Sequence, residues 1–96
     1  MQRDEILTIL RAHLPELARF RVRSLAVFGS VARGEAGPDS DVDILAEFEG
    51  APTFAAYMGL KLYIEDLLGL RVDLATPRSL KARARATAER DAVYVT

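Results

Sequence analysis

Phe28 to Phe48 reads FGSVARGEAGPDSDVDILAEF. Arg23 to Phe28 is β-branched and aromatic toward its end, which predicts a strand. Gly29-Ser30 follows at once, and Ser30 suits the N-cap of a short helix through Ala32-Arg33. Gly34, Gly37 and Pro38 mark a loop. Asp41 to Phe48 then alternates, with Val42, Ile44 and Ala46 on one face and Asp41, Asp43 and Leu45 on the other, as a second strand requires. Gly50 and Pro52 end it.

Outward from this stretch the periodicity changes. On the N-terminal side, Ile6, Leu7, Ile9, Leu10 and Leu14 form an apolar stripe at helical spacing, predicting a helix from Asp4 to His13. Pro15 breaks it and starts a short turn over Glu16 to Arg19. On the C-terminal side Thr53 caps a long helix to Leu68, with Gly69 as its stop. Tyr57, Leu60, Ile64, Leu67 and Leu68 share one face of it. Leu70 to Ala75 is a third strand, Ser79 to Asp91 a basic final helix, and Val93 to Val95 a short terminal strand. The expected class is α/β (α+β), a small mixed sheet with helices mainly on one face and the other left for a site.

Length and composition bound the function. The 96 residues, half of them apolar, suit a single domain, 1–96, with one modest core. There is no cysteine, which removes disulfides, thiolate metal sites and a cysteine nucleophile, and fits a reducing compartment. No apolar run reaches the roughly 18 residues of a membrane span. Arg3, Asp4 and Glu5 interrupt the N-terminal apolar residues, so no signal peptide is expected. The expectation is a cytoplasmic protein without membrane contact. A net charge of -1 disfavours strong nonspecific nucleic-acid affinity. Charge is unevenly spread, however. Glu35 to Glu49 holds six acidic residues and no basic one, whereas Arg71 to Arg90 holds six basic residues against Asp73 and Glu89. Two compensating solvated faces explain this, as does an acidic metal site beside a basic surface for phosphate, RNA or an acidic partner.

The chemistry concentrates at Asp41 and Asp43. Side chains at i and i+2 on a strand share a face, roughly 6.5–7 Å apart. Two such carboxylates repel each other and lose hydration on burial unless a cation holds them. Oxygen ligands of this kind suit Mg2+, and two ions can clamp the attacking and leaving oxygens of an in-line phosphoryl displacement. A strand running through Gly29-Ser30 into a helix aims backbone N–H groups at an anion; Gly29 admits close approach, and Ser30 can donate its hydroxyl to a phosphate oxygen. A P-loop lysine and a G-x-G-x-x-G pattern are both missing. Asp73, between Val72 and Leu74, completes a carboxylate triad if its strand lies beside the second, where it would ligate metal and accept a proton. Either a Gly-Ser turn or a D-x-D pair alone is commonplace. Their combination ten residues apart, with a third strand-borne aspartate downstream, is specific.

Arg33, one helical turn past Ser30, is placed to reach a phosphate or to stand as a surface residue. Asp39 and Ser40 shape the loop, and Ser40 is also within the range of a nucleotide sugar. His13 has no second histidine to pair with. Met58 and Phe54 are candidates for core or partner contact, and one of Tyr57 and Tyr63 is expected in the core.

Gly29-Ser30, ten residues, then Asp41-x-Asp43 resembles the signature of the DNA polymerase β-like nucleotidyltransferase superfamily. With RVDLATPRSLK and the closing AVYV, the match resembles the minimal nucleotidyltransferases of the MNT or MntA type over nearly the whole chain. The resemblance implies the polymerase β-like fold, nucleotide binding at Gly29 and Ser30, two Mg2+ ions at Asp41 and Asp43, and Asp73 as the third catalytic acid. It further implies an antitoxin that transfers AMP from ATP to a tyrosine of a HEPN-type toxin, as a hetero-oligomer with that partner or a homo-oligomer. Two other classes compete: a binding module that silences its partner by contact alone, and an RNA-directed nucleotidyltransferase using Arg83 to Arg90. The complete triad favours catalysis.

Overall fold

A computed structural model describes residues 1–96. The first helix, α1 (Arg3–Ala12), opens with the Gln2 backbone N–H donating to the Glu5 carboxylate at 3.0 Å. It buries Ile6, Leu7 and Leu10, the stripe its spacing predicts. A short α2 (Leu14–Leu17) and a 3-10 turn (Ala18–Phe20) follow, one to two residues offset from the expected turn because Pro15 already sits inside the first turn of α2. Strand β1 (Val22–Phe28) runs straight into the four-residue α3 (Gly29–Ala32). Then come β2 (Val42–Phe48), α4 (Phe54–Leu68), β3 (Val72–Ala75), α5 (Ala82–Asp91) and β4 (Val93–Tyr94).

The four strands lie in the order β3-β2-β1-β4. β1 pairs antiparallel with both β2 and β4, while β2 and β3 are parallel, so the sheet is mixed as expected. Parallel pairing needs a crossover, and α4 supplies it across one face. There Ile6, Leu10, Leu60 and Ile64 pack with Leu25, Val27, Val42 and Ile44 in one cluster, each at most 1% exposed. Full burial of each such side chain contributes about 1.5–3 kcal/mol. The opposite face carries a smaller cluster of Ala26, Leu45 and Ala75, flanked by Phe28, Leu80 and Ala92.

α4 matches its sequence signals at both ends. The Thr53 hydroxyl accepts from the Ala56 N–H at 3.0 Å, and Gly69 turns left-handed at φ 66°. Three expectations shift. Ser30 is not an N-cap: Phe28 holds that position in extended backbone, and Ser30 is already the second helical residue. Asp41 falls just outside its strand, which begins where the Val42 N–H donates to the Arg71 carbonyl. α5 begins at Ala82 rather than Ser79, because Thr76 and Ser79 close a turn of their own through reciprocal backbone–hydroxyl bonds of 2.9 and 3.2 Å. Phe54 is 79% exposed and so takes no part in the core, whereas Tyr63 packs on Phe20 with ring centroids 5.7 Å apart.

Candidate active site

Sheet register assembles the site. Asp43 lies opposite Phe28 on one neighbouring strand and opposite Asp73 on the other. Residues paired across a sheet point to the same face, so two aspartates 30 positions apart in sequence stand side by side. Phe28 ends β1, so the next residue, Gly29, meets the Asp43 side chain. A Cβ at Gly29 would sit 3.0 Å from the Asp43 Cγ and closer still to its Oδ2, and the backbone there has φ +71°. Both space and backbone conformation therefore call for glycine at this one position.

The electrostatics follow from that crowding. Asp43 has its carboxyl pushed above the ordinary range, first by burial and then by the charges of Asp73 and Asp41, with Arg33 pulling the other way. Asp41 is itself paired with Arg71 at 3.2 Å, an exposed contact. The three carboxylates do not draw together into a closed cation cage. A cation at these carboxylates would therefore need waters or phosphate oxygens as further ligands. The like-charge crowding on Asp43 is the strain a cation would relieve.

β3 is the edge strand that carries Asp73, and α4 secures it. The Val72 N–H donates to Glu65 Oε2 at 2.9 Å, and the Tyr57 hydroxyl donates to the Leu74 carbonyl. These bonds satisfy outward-facing backbone groups on both sides of Asp73, which an edge strand otherwise leaves open. The helical spacing of Tyr57 marked it for the packed face but gave no hint of this hydroxyl bond, and Glu65 carried no signal at all.

The remaining candidates separate. Ser30 is half-buried in α3, and its carbonyl accepts from the Glu35 N–H at 2.8 Å. Arg33 donates to Glu35 at 2.8 Å and to Asp91 at 2.7 Å. The Ser40 hydroxyl accepts from the Gly37 N–H at 3.0 Å, holding the loop as its sequence position suggested. A cleft of about 490 Å³ includes Phe28, Gly29, Arg33, Lys81 and Asp91 in its walls, next to Asp43. Another, of about 390 Å³, lies at the C-terminal ends of β2 and β3 beside Glu47, Thr76 and Arg78, away from the aspartates.

The family profile for the nucleotidyltransferase domain matches residues 4–95. The chain belongs to this nucleotidyltransferase family. It is 53% identical over 93 residues to the protein adenylyltransferase MntA of Thermococcus cleftensis, covering 96% of this chain and 94% of that one. A solved structure described as a minimal nucleotidyltransferase superposes with a TM-score of 0.85 at 42% identity, covering 97% and 95% of the two chains. A second, the MNT antitoxin in complex with the tri-AMPylated HEPN toxin of Shewanella oneidensis, shares the fold with a TM-score of 0.61 at 19% identity, covering 98% of this chain and 68% of that one. The nucleotidyltransferase thus has the polymerase β-like fold of minimal, MntA-type enzymes. No helix in it is long and apolar enough to cross a membrane.

Proposed function

We propose that residues 1–96 work as one minimal nucleotidyltransferase domain that transfers AMP from ATP to a tyrosine hydroxyl of a HEPN-type toxin, and so act as the antitoxin of that pair in the cytoplasm. The observation that carries this reading is the register placing Asp43 between Phe28-Gly29 and Asp73. The likeness to the Thermococcus adenylyltransferase and to the Shewanella complex supports the AMP group and the HEPN partner.

Asp41, Asp43 and Asp73 would hold Mg2+ as two ions. Bound there, the ions supply positive charge to the attacking and leaving oxygens. Gly29 leaves room for the triphosphate against the backbone, and Ser30 donates its hydroxyl to a phosphate oxygen. Arg33 adds a cation to the same phosphates, and Ser40 stands at the loop beside the sugar. The acceptor oxygen attacks the α-phosphorus, the bond to pyrophosphate breaks, and Asp73 takes the hydroxyl proton. Asp73 suits that task because it is the exposed member of the side-by-side pair, whereas Asp43 is half-buried.

The test is co-expression of the chain with a HEPN-type toxin, followed by peptide mass spectrometry after incubation with ATP and Mg2+. AMP on a toxin tyrosine is expected with the native chain and not with Asp73→Asn. An Asp73→Asn chain that protects cells as well as the native one would show that contact alone silences the toxin, and would overturn the enzymatic reading.

A further inference from the structure

Arg33 is gripped at two points. Its Nε donates to Glu35 Oε1 at 2.8 Å and its Nη1 to Asp91 Oδ2 at 2.7 Å, both in the short range of charge-assisted bonds. The Nη2 amino group has no partner within the chain and keeps two donors free. The two acceptors differ in their surroundings. Glu35 is 64% exposed, so water competes for its bond, whereas Asp91 is only 14% exposed. Asp91 is therefore the firm anchor of the pair.

The fold fixes where that anchor stands. Asp91 is the last residue of α5, two positions before β4, which pairs Val93 with Val27 on β1. Arg33 follows α3, which continues directly from β1 through Gly29. Both ends of the Arg33–Asp91 pair thus hang from the same stretch of β1, and both line the cleft that includes Gly29. A free arginine on the surface would have to give up its rotamer freedom on meeting a ligand, whereas one held at two points has already given it up.

We propose that Asp91 is a positioning residue for nucleotide binding: it holds the Arg33 guanidinium at the wall of the Gly29 cleft, with its remaining donors free for the triphosphate. This rests on the reading of Gly29, Ser30 and Arg33 as the phosphate site. It adds a dependence of that site on the final helix, 58 residues away in sequence from Arg33. Asp91 touches no substrate in this scheme, and acts only through Arg33.

The test is a double-mutant cycle on the intact chain, with Mg-ATP affinity measured by titration calorimetry and folding followed by thermal denaturation. Arg33→Ala is expected to weaken ATP binding by more than tenfold, and Asp91→Asn by about five- to tenfold, the scale of one charge-assisted bond. The double variant should bind no more weakly than Arg33→Ala alone. Asp91→Glu, which restores the charge, should recover most of the affinity that Asp91→Asn loses. Native or tighter ATP binding by Asp91→Asn, with Arg33→Ala weakened, overturns the positioning role and leaves the phosphate reading standing. A further loss on adding Asp91→Asn to Arg33→Ala also overturns it, since Asp91 would then act by another route. Native affinity in Arg33→Ala removes Arg33 from the phosphate site and the role of Asp91 with it. Should Asp91→Asn fail to fold, Asp91→Glu alone decides: near-native ATP affinity supports the proposal, and a loss as large as that of Arg33→Ala overturns it.

Discussion

The two faces of β2 differ in what they do. On one, Val42, Ile44 and Ala46 are at most 1% exposed and pack in the same cluster as residues of α1 and α4. On the other, one residue out of phase, Asp43 stands half-buried beside Asp73 with its carboxyl pushed up in pKa. A strand's period of two thus assigns adhesion to one face and chemistry to the other. The difference teaches that the site face is held in place by the core face: repelling carboxylates are tolerated because the aliphatic face behind them fixes the register.

The largest test of this division is on the site face. Asp43→Asn should lower nucleotidyl transfer by at least 10²-fold, the scale of a lost acid–base or metal-holding group, while the chain still folds. Radiolabelled AMP incorporation read beside circular dichroism checks both halves. Ile44→Ala, the adjacent residue on the core face, should do the reverse. It is expected to cost about 2–5 kcal/mol of stability, and to lower transfer only in proportion to the unfolded fraction. If Ile44→Ala instead abolished transfer in a fully folded chain, the two faces would not be separable.

Gly29→Ala probes the seam between the faces. Its φ of +71° and the collision with Asp43 should cost about 1–2 kcal/mol of stability and weaken ATP binding, both readable by thermal shift with and without Mg-ATP. Tyr57→Phe removes the hydroxyl that secures the Leu74 carbonyl beside Asp73. A stability loss of about 1 kcal/mol is expected, with a fall in turnover and little change in ATP affinity.

The smallest expected effect is on stability against pH without metal. Asp43 has a raised pKa in the folded chain, so its protonated form favours folding. That contribution is fully present below the ordinary carboxylate pKa of 3.8 and is lost as pH rises through the raised value. Asp43→Asn should therefore melt at or slightly above the native chain at neutral pH, and the gain should vanish at the acid end. Added Mg2+ should stabilise the native chain and not the variant. A variant less stable than the native chain at neutral pH without metal would show that the Asp43 charge is not a strain on the fold.

Much of this was legible in the order of residues, because the signals were local. Thr53 and Gly69 marked the ends of α4, the alternation from Asp41 onward marked β2 one residue early, and the spacing of Gly29-Ser30 to Asp41 and Asp43 marked the family. Strand spacing also suggested a shared face for Asp41 and Asp43, but Asp41 lies just outside β2, so only Asp43 takes its side from the strand. What the tertiary structure decided was every relation across strands and helices. The pairing of Asp43 with Asp73 depends on the parallel register of β2 and β3. The collision that demands glycine at position 29 depends on where β1 ends against β2. The clamp of Glu65 and Tyr57 on the edge strand, and the hold of Asp91 on Arg33, join residues whose neighbours in sequence give no sign of them. A local pattern records which way a side chain points along its own element; which charges meet across the fold is set only when the core has brought those elements together.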